Sequence, residues 1–122
     1  PTGRHVWVTS GDRVAVAIYD VRAPRIVRVV SADTAPQHVT FDGATAYVSS
    51  GWSGTLPVHR SDGTPVSWTS VPVGSYNVQY DHGRIVTPSL ERGTIAILDA
   101  RGHVLRSKIV ARSCHDACVI QR

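Results

Sequence analysis

His38, Asn77 and Asp116 stand 39 residues apart, and each lies directly before a small apolar residue: Val39, Val78 and Ala117. Asp and Asn offer oxygen donors to a hard cation. A His near a carboxylate can supply the base and the acid of a hydrolysis. If the three side chains converge, they can hold one ligand or one divalent cation. Polar residues in such places also form turns, cap strand starts and hold water, and that reading stands beside the ligand reading. Cys114-His115-Asp116-Ala117-Cys118 is a second candidate. Cys-x3-Cys with an intervening His contains zinc-type ligands, yet no second Cys pair and no His pair at finger spacing completes the set. Cys114 and Cys118 therefore read first as free thiols, next as a local disulfide, and last as zinc ligands. A disulfide requires Cα atoms within about 7 Å, and so a sharply turned loop. No Gly-x-Ser-x-Gly elbow and no Gly-x4-Gly-Lys phosphate loop is present. Ser50-Gly51-Trp52-Ser53-Gly54 reads as a hairpin turn rather than an active serine.

The elements that must position these residues repeat three times. Val6-Trp7-Val8-Thr9-Ser10 recurs as Ala46-Tyr47-Val48-Ser49-Ser50 and as Ile85-Val86-Thr87-Pro88-Ser89. Val16-Ala17-Ile18-Tyr19-Asp20 recurs as Leu56-Pro57-Val58-His59-Arg60 and as Ile95-Ala96-Ile97-Leu98-Asp99. Apolar residues alternate with polar ones inside each unit, which is the period of a strand. Four short strands in a unit of about 40 residues are the signature of a propeller blade. The chain is thus expected to be all-β: a partial β-propeller of about three four-stranded antiparallel blades in a permuted phase. It reads as one domain over residues 1–122, with repeats at about 4–42, 43–81 and 82–121. Strands are expected at 4–10, 14–20, 25–30 and 37–42, then 45–50, 55–60, 66–71 and 77–81, then 83–87, 94–99, 104–110 and 116–121. Hairpin turns fall at Asp42-Gly43, Asp62-Gly63, His82-Gly83 and Arg101-Gly102. On this plan His38, Asn77 and Asp116 begin innermost strands and border one mouth of the central channel.

Three blades do not close a ring, since propellers use about four to eight. The last strand, 116–121, has no successor to pair with, and its natural partner is a strand like 4–10. Open edges of this kind associate. The chain is expected either to self-associate head to tail or to be completed by missing blades of the same propeller. Val39, Phe41, Val78, Tyr80, Ala117 and Val119 should share one strand face, buried between blades. Trp7, Tyr47, and Phe41 with Tyr80, fall at equivalent strand positions and read as packing between blades rather than a cofactor box. Trp68, on an outer strand, reads as a contact surface. Pro57 conflicts with its strand, because it cannot donate to a ladder; that strand should be bulged or its blade loosely built.

Composition narrows the partners. Hydrophobic content of 42% supports a core, and 18% charged residues argue against disorder. The net charge of +4 comes from scattered Arg residues, with only Arg22, Arg25 and Arg28 clustered. No aromatic-and-basic stripe accompanies them, so no nucleic-acid partner is expected. No apolar run reaches the roughly 20 residues of a membrane helix, so no membrane insertion is expected. Met is absent even at position 1, as in a processed product or an excerpt of a longer gene.

Ala46-Tyr47-Val48-Ser49-Ser50-Gly51, followed by Gly54-Thr55 and the strand from Leu56 to Arg60, resembles the YVTN-type propeller repeat. Val71-Pro72-Val73-Gly74 is similar to that family's inter-blade junction, and Ala35-Pro36-Gln37-His38-Val39 to its Pro-His-x-Val entry. The resemblance covers essentially the whole chain, although complete members carry six to eight units. It implies a superfamily of bacterial surface and periplasmic repeat propellers, lactonase-like enzymes and quinoprotein dehydrogenases. A secreted or periplasmic location is implied by the resemblance alone. The functional expectation is a non-enzymatic binding or scaffold module without a cofactor, its ligand at the channel mouth. The alternative is a metal-assisted lactone or ester hydrolase with a divalent cation on His38, Asn77 and Asp116. Gluconolactonase-type propellers place metal-binding Asn and acidic residues around their channel, a match here of chemistry and location rather than of motif.

Overall fold

The computed structural model describes residues 3–120. Among them are eleven strands and no helix: β1 (His5–Ser10), β2 (Ala15–Asp20), β3 (Arg25–Ser31), β4 (Pro36–Asp42), β5 (Thr45–Ser50), β6 (Thr55–Arg60), β7 (Pro65–Ser70), β8 (Gln79–Asp81), β9 (Arg84–Pro88), β10 (Thr94–Asp99) and β11 (Val104–Ile109). They form three antiparallel sheets in which every neighbour is sequential. Blade A is β1-β2-β3, blade B is β4-β5-β6-β7 and blade C is β8-β9-β10-β11. This is a partial β-propeller, and the repeat extends to register. Thr40 faces Tyr47 across β4–β5, and Gln79 faces Val86 across β8–β9. Among the described residues blade A has three strands, with β1 at its edge. Blade B meets blade C through β4 on β8, whereas β1 itself packs on β4.

The hairpins follow from turn chemistry. Gly43, Gly63, Gly83 and Gly102 all carry positive φ. At β8–β9 both central residues do, with His82 at 42° and Gly83 at 78°, as a two-residue hairpin that matches the twist of its strands demands. Gly93 has a second constraint: a Cβ there would run into the backbone of Ala111.

The core lies between blades. Val16, Ile18, Val30 and Val48 form the A–B cluster, with Trp7 and Val39 packed against it. Tyr47, Leu56, Val58, Val71, Val78, Ile85, Ala96 and Leu98 form the larger B–C cluster, with Tyr80 against it. Full burial of such a side chain contributes about 1.5–3 kcal/mol. The four aromatic residues pack between blades as expected, each on a residue of the neighbouring blade. Trp7 meets Phe41 edge-on at 5.5 Å, and Tyr47 stacks on Tyr80 at 5.8 Å. The shared face holds for the first two units: Val78 is buried, and Val39, Phe41 and Tyr80 are half-buried.

The third unit departs from expectation. The strand expected at 116–121 is absent over residues 116–120, and residue 121 lies outside the described residues. Ala117 is half-buried and Val119 exposed, because no neighbouring strand pairs with this segment. Pro57 is also resolved. It lies within β6, whose first five residues are all buried, so blade B is not loosely built. The cost is local. Pairing between β5 and β6 skips Val48 and Ser49, opposite Pro57 and Leu56, and resumes at Ser50 with Thr55. A missing N–H at residue 57 produces that gap. On the other side Pro57 pairs with Trp68, and the bulge comes one residue later, between Val58 and His59.

Candidate functional site

The start of the innermost strands is built by hydroxyl groups that hold the crossings between blades. Ser49 Oγ donates to the Tyr76 carbonyl at 2.7 Å, and Thr87 Oγ1 to the Asn77 carbonyl at 2.6 Å. Ser50 and Ser89, equivalent in the repeat and both buried, donate to the carbonyls of Asp33 and Val73. Gly51 is required here, because a Cβ would strike the Tyr76 ring.

This framework brings two of the three expected residues together. Asn77 Nδ2 lies 3.5 Å from His38 Nδ1. With the amide donating, Nδ1 accepts and the imidazole proton resides on Nε2. Asn77 Oδ1 is buried and has no hydrogen-bond partner. The pair therefore sets one buried acceptor, Asn77 Oδ1, beside one donor, His38 Nε2–H, with His38 on β4 and Asn77 two residues before β8. Asp116 occupies the exposed segment after β11, where its carboxylate accepts from the Ala117 N–H at 2.8 Å. Among the described residues no group of three or more His, Cys, Asp or Glu side chains comes together. Asn77 Oδ1 suits a hard cation, while His38 Nδ1 is turned to the amide. Cys114 is half-buried, Cys118 is exposed, and both are free thiols.

Sequence reasoning passed over Asp33. It precedes β4 and accepts from Thr55 Oγ1 at 2.8 Å, while Thr55 also shares a hydrogen bond with Ser53. No periodic signal marks it, because the other units carry Pro72 or Val73 and Ala111 or Arg112 near that place. His59 was likewise unmarked. It replaces Tyr19 and Leu98 of the other units, is 4% exposed, and neither ring nitrogen has a partner. Burial pushes its pKa down.

The opposite end of the blades differs in character. Arg4 donates from Nε to Asp20 Oδ2 at 2.9 Å, and the N–H groups of Arg22 and Ala23 cap Oδ1. The Arg4 hydrogen bond, opposed by desolvation and reinforced by the two N–H groups, holds the Asp20 carboxyl far below the usual range. A crevice of about 670 Å³ opens between blades A and B, floored by Trp7 and Phe41 and rimmed by Arg22 and Asp62. Between B and C the Tyr47 hydroxyl spans the equivalent gap, donating to the Ala100 carbonyl at 2.7 Å. Burial first, then the charges of Asp42, Tyr80 and Asp99, push the Tyr47 pKa up to about 12.

No family model and no curated protein matches the chain. Solved structures do. BamB from Moraxella catarrhalis superposes with a TM-score of 0.82 at 15% identity, over 98% of this chain and 36% of that one. Hydrazine synthase of Kuenenia stuttgartiensis gives 0.77 at 18% identity, over 86% and 32%. Glutaminyl cyclase of Myxococcus xanthus gives 0.62 at 15% identity, over 88% and 49%. These are propeller-type proteins. At such identities the likeness speaks for the fold alone. The chain spans about a third to a half of their lengths.

Proposed function

We propose that this partial β-propeller is a binding module that takes a polar ligand at the mouth bordered by His38 and Asn77. The observation that carries the reading is the unpartnered, buried Asn77 Oδ1 beside an imidazole whose free nitrogen is a donor. A buried acceptor without a partner costs about 1–3 kcal/mol. A ligand presenting a donor and an acceptor side by side, as an amide or a vicinal hydroxyl pair does, offsets that cost. The framework hydroxyls of Ser49 and Thr87 hold only backbone carbonyls, so they position the pair without competing for the ligand.

The test is chemical-shift mapping of the His38 ring and Asn77 amide resonances. Titrants are acetamide, a simple sugar, and calcium, magnesium and zinc in turn. Shifts with the amide or the sugar, lost in Asn77→Ala, support the reading. A metal response that requires both Asn77 and Asp116 would replace it with the metal-assisted hydrolase. Silence from every titrant would overturn it.

A further inference from the structure

We infer that the open edge of β1 is a docking site for residues 116–120 of a second copy of this chain, which supply blade A with its innermost strand. Blades B and C each have four strands, and blade A has three, with β1 at the end of the sheet. The same chain carries a segment, residues 116–120, whose repeat position is that of β4 and β8 yet which pairs with no strand among the described residues. His38, Asn77 and Asp116 are in register, so Ala117 and Val119 correspond to Val39 and Phe41, and to Val78 and Tyr80. Those four residues are buried or half-buried on their own blades, whereas Val119 and Ile120 are exposed, Ile120 to 77%.

The receiving surface fits. Val6 and Val8 of β1 are 47% and 51% exposed, while Ala46 and Val48, their equivalents on β5, are fully buried. The register transfers directly. β4 places Phe41 opposite Ala46 and Val39 opposite Val48. By the same offset Val119 of the second copy faces Val6, Cys118 faces Trp7, and Ala117 faces Val8. Every exposed valine of the edge then meets an apolar partner, and the free ladder groups of β1 gain hydrogen bonds. The donating segment follows β11 of blade C. Its donation therefore also brings the exposed flank of blade C, with Ile109 71% exposed, against blade A of the other copy. Such a contact is head-to-tail, between two different surfaces. Adding blade to blade by one repeated interface is how repeat architectures bury their cores.

Sedimentation velocity of the 122-residue chain at micromolar concentration tests this. A dimer, or a longer head-to-tail series, is expected. Val119→Asp and Ile120→Asp change exposed residues that the isolated fold does not use. Each should weaken association by at least about tenfold, which is about 1.4 kcal/mol, with an unchanged circular dichroism spectrum. Register is tested by pairing Val8→Cys with Ala117→Cys in a chain carrying Cys114→Ser and Cys118→Ser. Oxidation should link one copy to the next through the directly opposed pair, and the off-register pair Val8→Cys with Val119→Cys should link poorly. A monomer at all concentrations would overturn the inference. So would association unaffected by the two Asp substitutions, or cross-linking equal for both pairs.

Discussion

His59 shows how a single residue shapes this fold's response to pH. Its imidazole is buried between blades A and B, within 6.0 Å of Trp7, and nothing satisfies either nitrogen. Burial favours the neutral ring, so its folded pKa lies below the unfolded value of about 6.5. Stability from this site is therefore complete above that value and is lost as pH falls through the folded pKa. His59→Leu, which installs the residue found at Leu98 in the third unit, is expected to raise the unfolding free energy by about 1–2 kcal/mol at pH 7. It should also flatten the loss of stability just below pH 6.5. The loss below about pH 4 should persist, because there the unfolded chain binds the proton that Asp20, held by Arg4 in the fold, still excludes. Urea titrations at about pH 7.5, 5.5 and 2.5 separate the two windows. An unchanged loss between pH 7.5 and 5.5 in the variant would show that His59 is not its source.

At the scale of the element, burial divides inner from outer strands. Every residue of β11 is exposed, as are most of β3 and β7, whereas β5 and β6 are almost wholly buried. Leu56 and Trp68 lie on paired neighbouring strands and make the contrast sharp. Leu56 is fully buried in the B–C cluster; Trp68 is 68% exposed. Leu56→Ala should cost about 2–5 kcal/mol through lost burial and the cavity left behind. Trp68→Ala should stay within about 0.5 kcal/mol. Chemical denaturation of the two variants checks this. A large loss for Trp68→Ala would mean that its exposed ring is covered in solution. The twelve expected strands lie close to the eleven observed because alternation and turn residues are local signals. β8 is the instructive deviation. It begins at Gln79, two residues later than expected, after a crossing whose Tyr76 and Asn77 carbonyls are taken by the Ser49 and Thr87 hydroxyls.

For the molecule as a whole, stability is distributed by interface. Blade B is packed on both faces, blade A only against B, through a cluster of four buried residues, Val16, Ile18, Val30 and Val48. In quasi-one-dimensional architectures, stability is approximately a sum over units and their neighbouring interfaces. Amides of β2, the central strand of blade A, are therefore expected to exchange faster than those of β5 and β6. The measurement is hydrogen exchange at concentrations below the association range, with β10 of blade C expected between the two. Equal protection across the three sheets would show that the chain opens as one unit instead.

The repeat of 39 to 40 residues carried the fold, the register, the hairpin glycines and the packing of Trp7, Phe41, Tyr47 and Tyr80 between blades, while their partners, Trp7 on Phe41 and Tyr47 on Tyr80, came from the tertiary structure. All that the repeat carried depends on side-chain periodicity and turn chemistry, which a strand writes into its own residues. The periodicity also placed His38 and Asn77 at equivalent positions, and the structure brings them within 3.5 Å. What periodicity could not state was the neighbourhood of each side chain. The orphaned nitrogens of His59, the Thr55 hydrogen bond to Asp33 and the rescue of Tyr47 by the Ala100 carbonyl all join residues from different elements. The same holds for residues 116–120. Their pattern is that of a strand, but a strand exists only when its backbone groups find a partner, and partners are assigned by the assembled tertiary structure rather than by the segment itself.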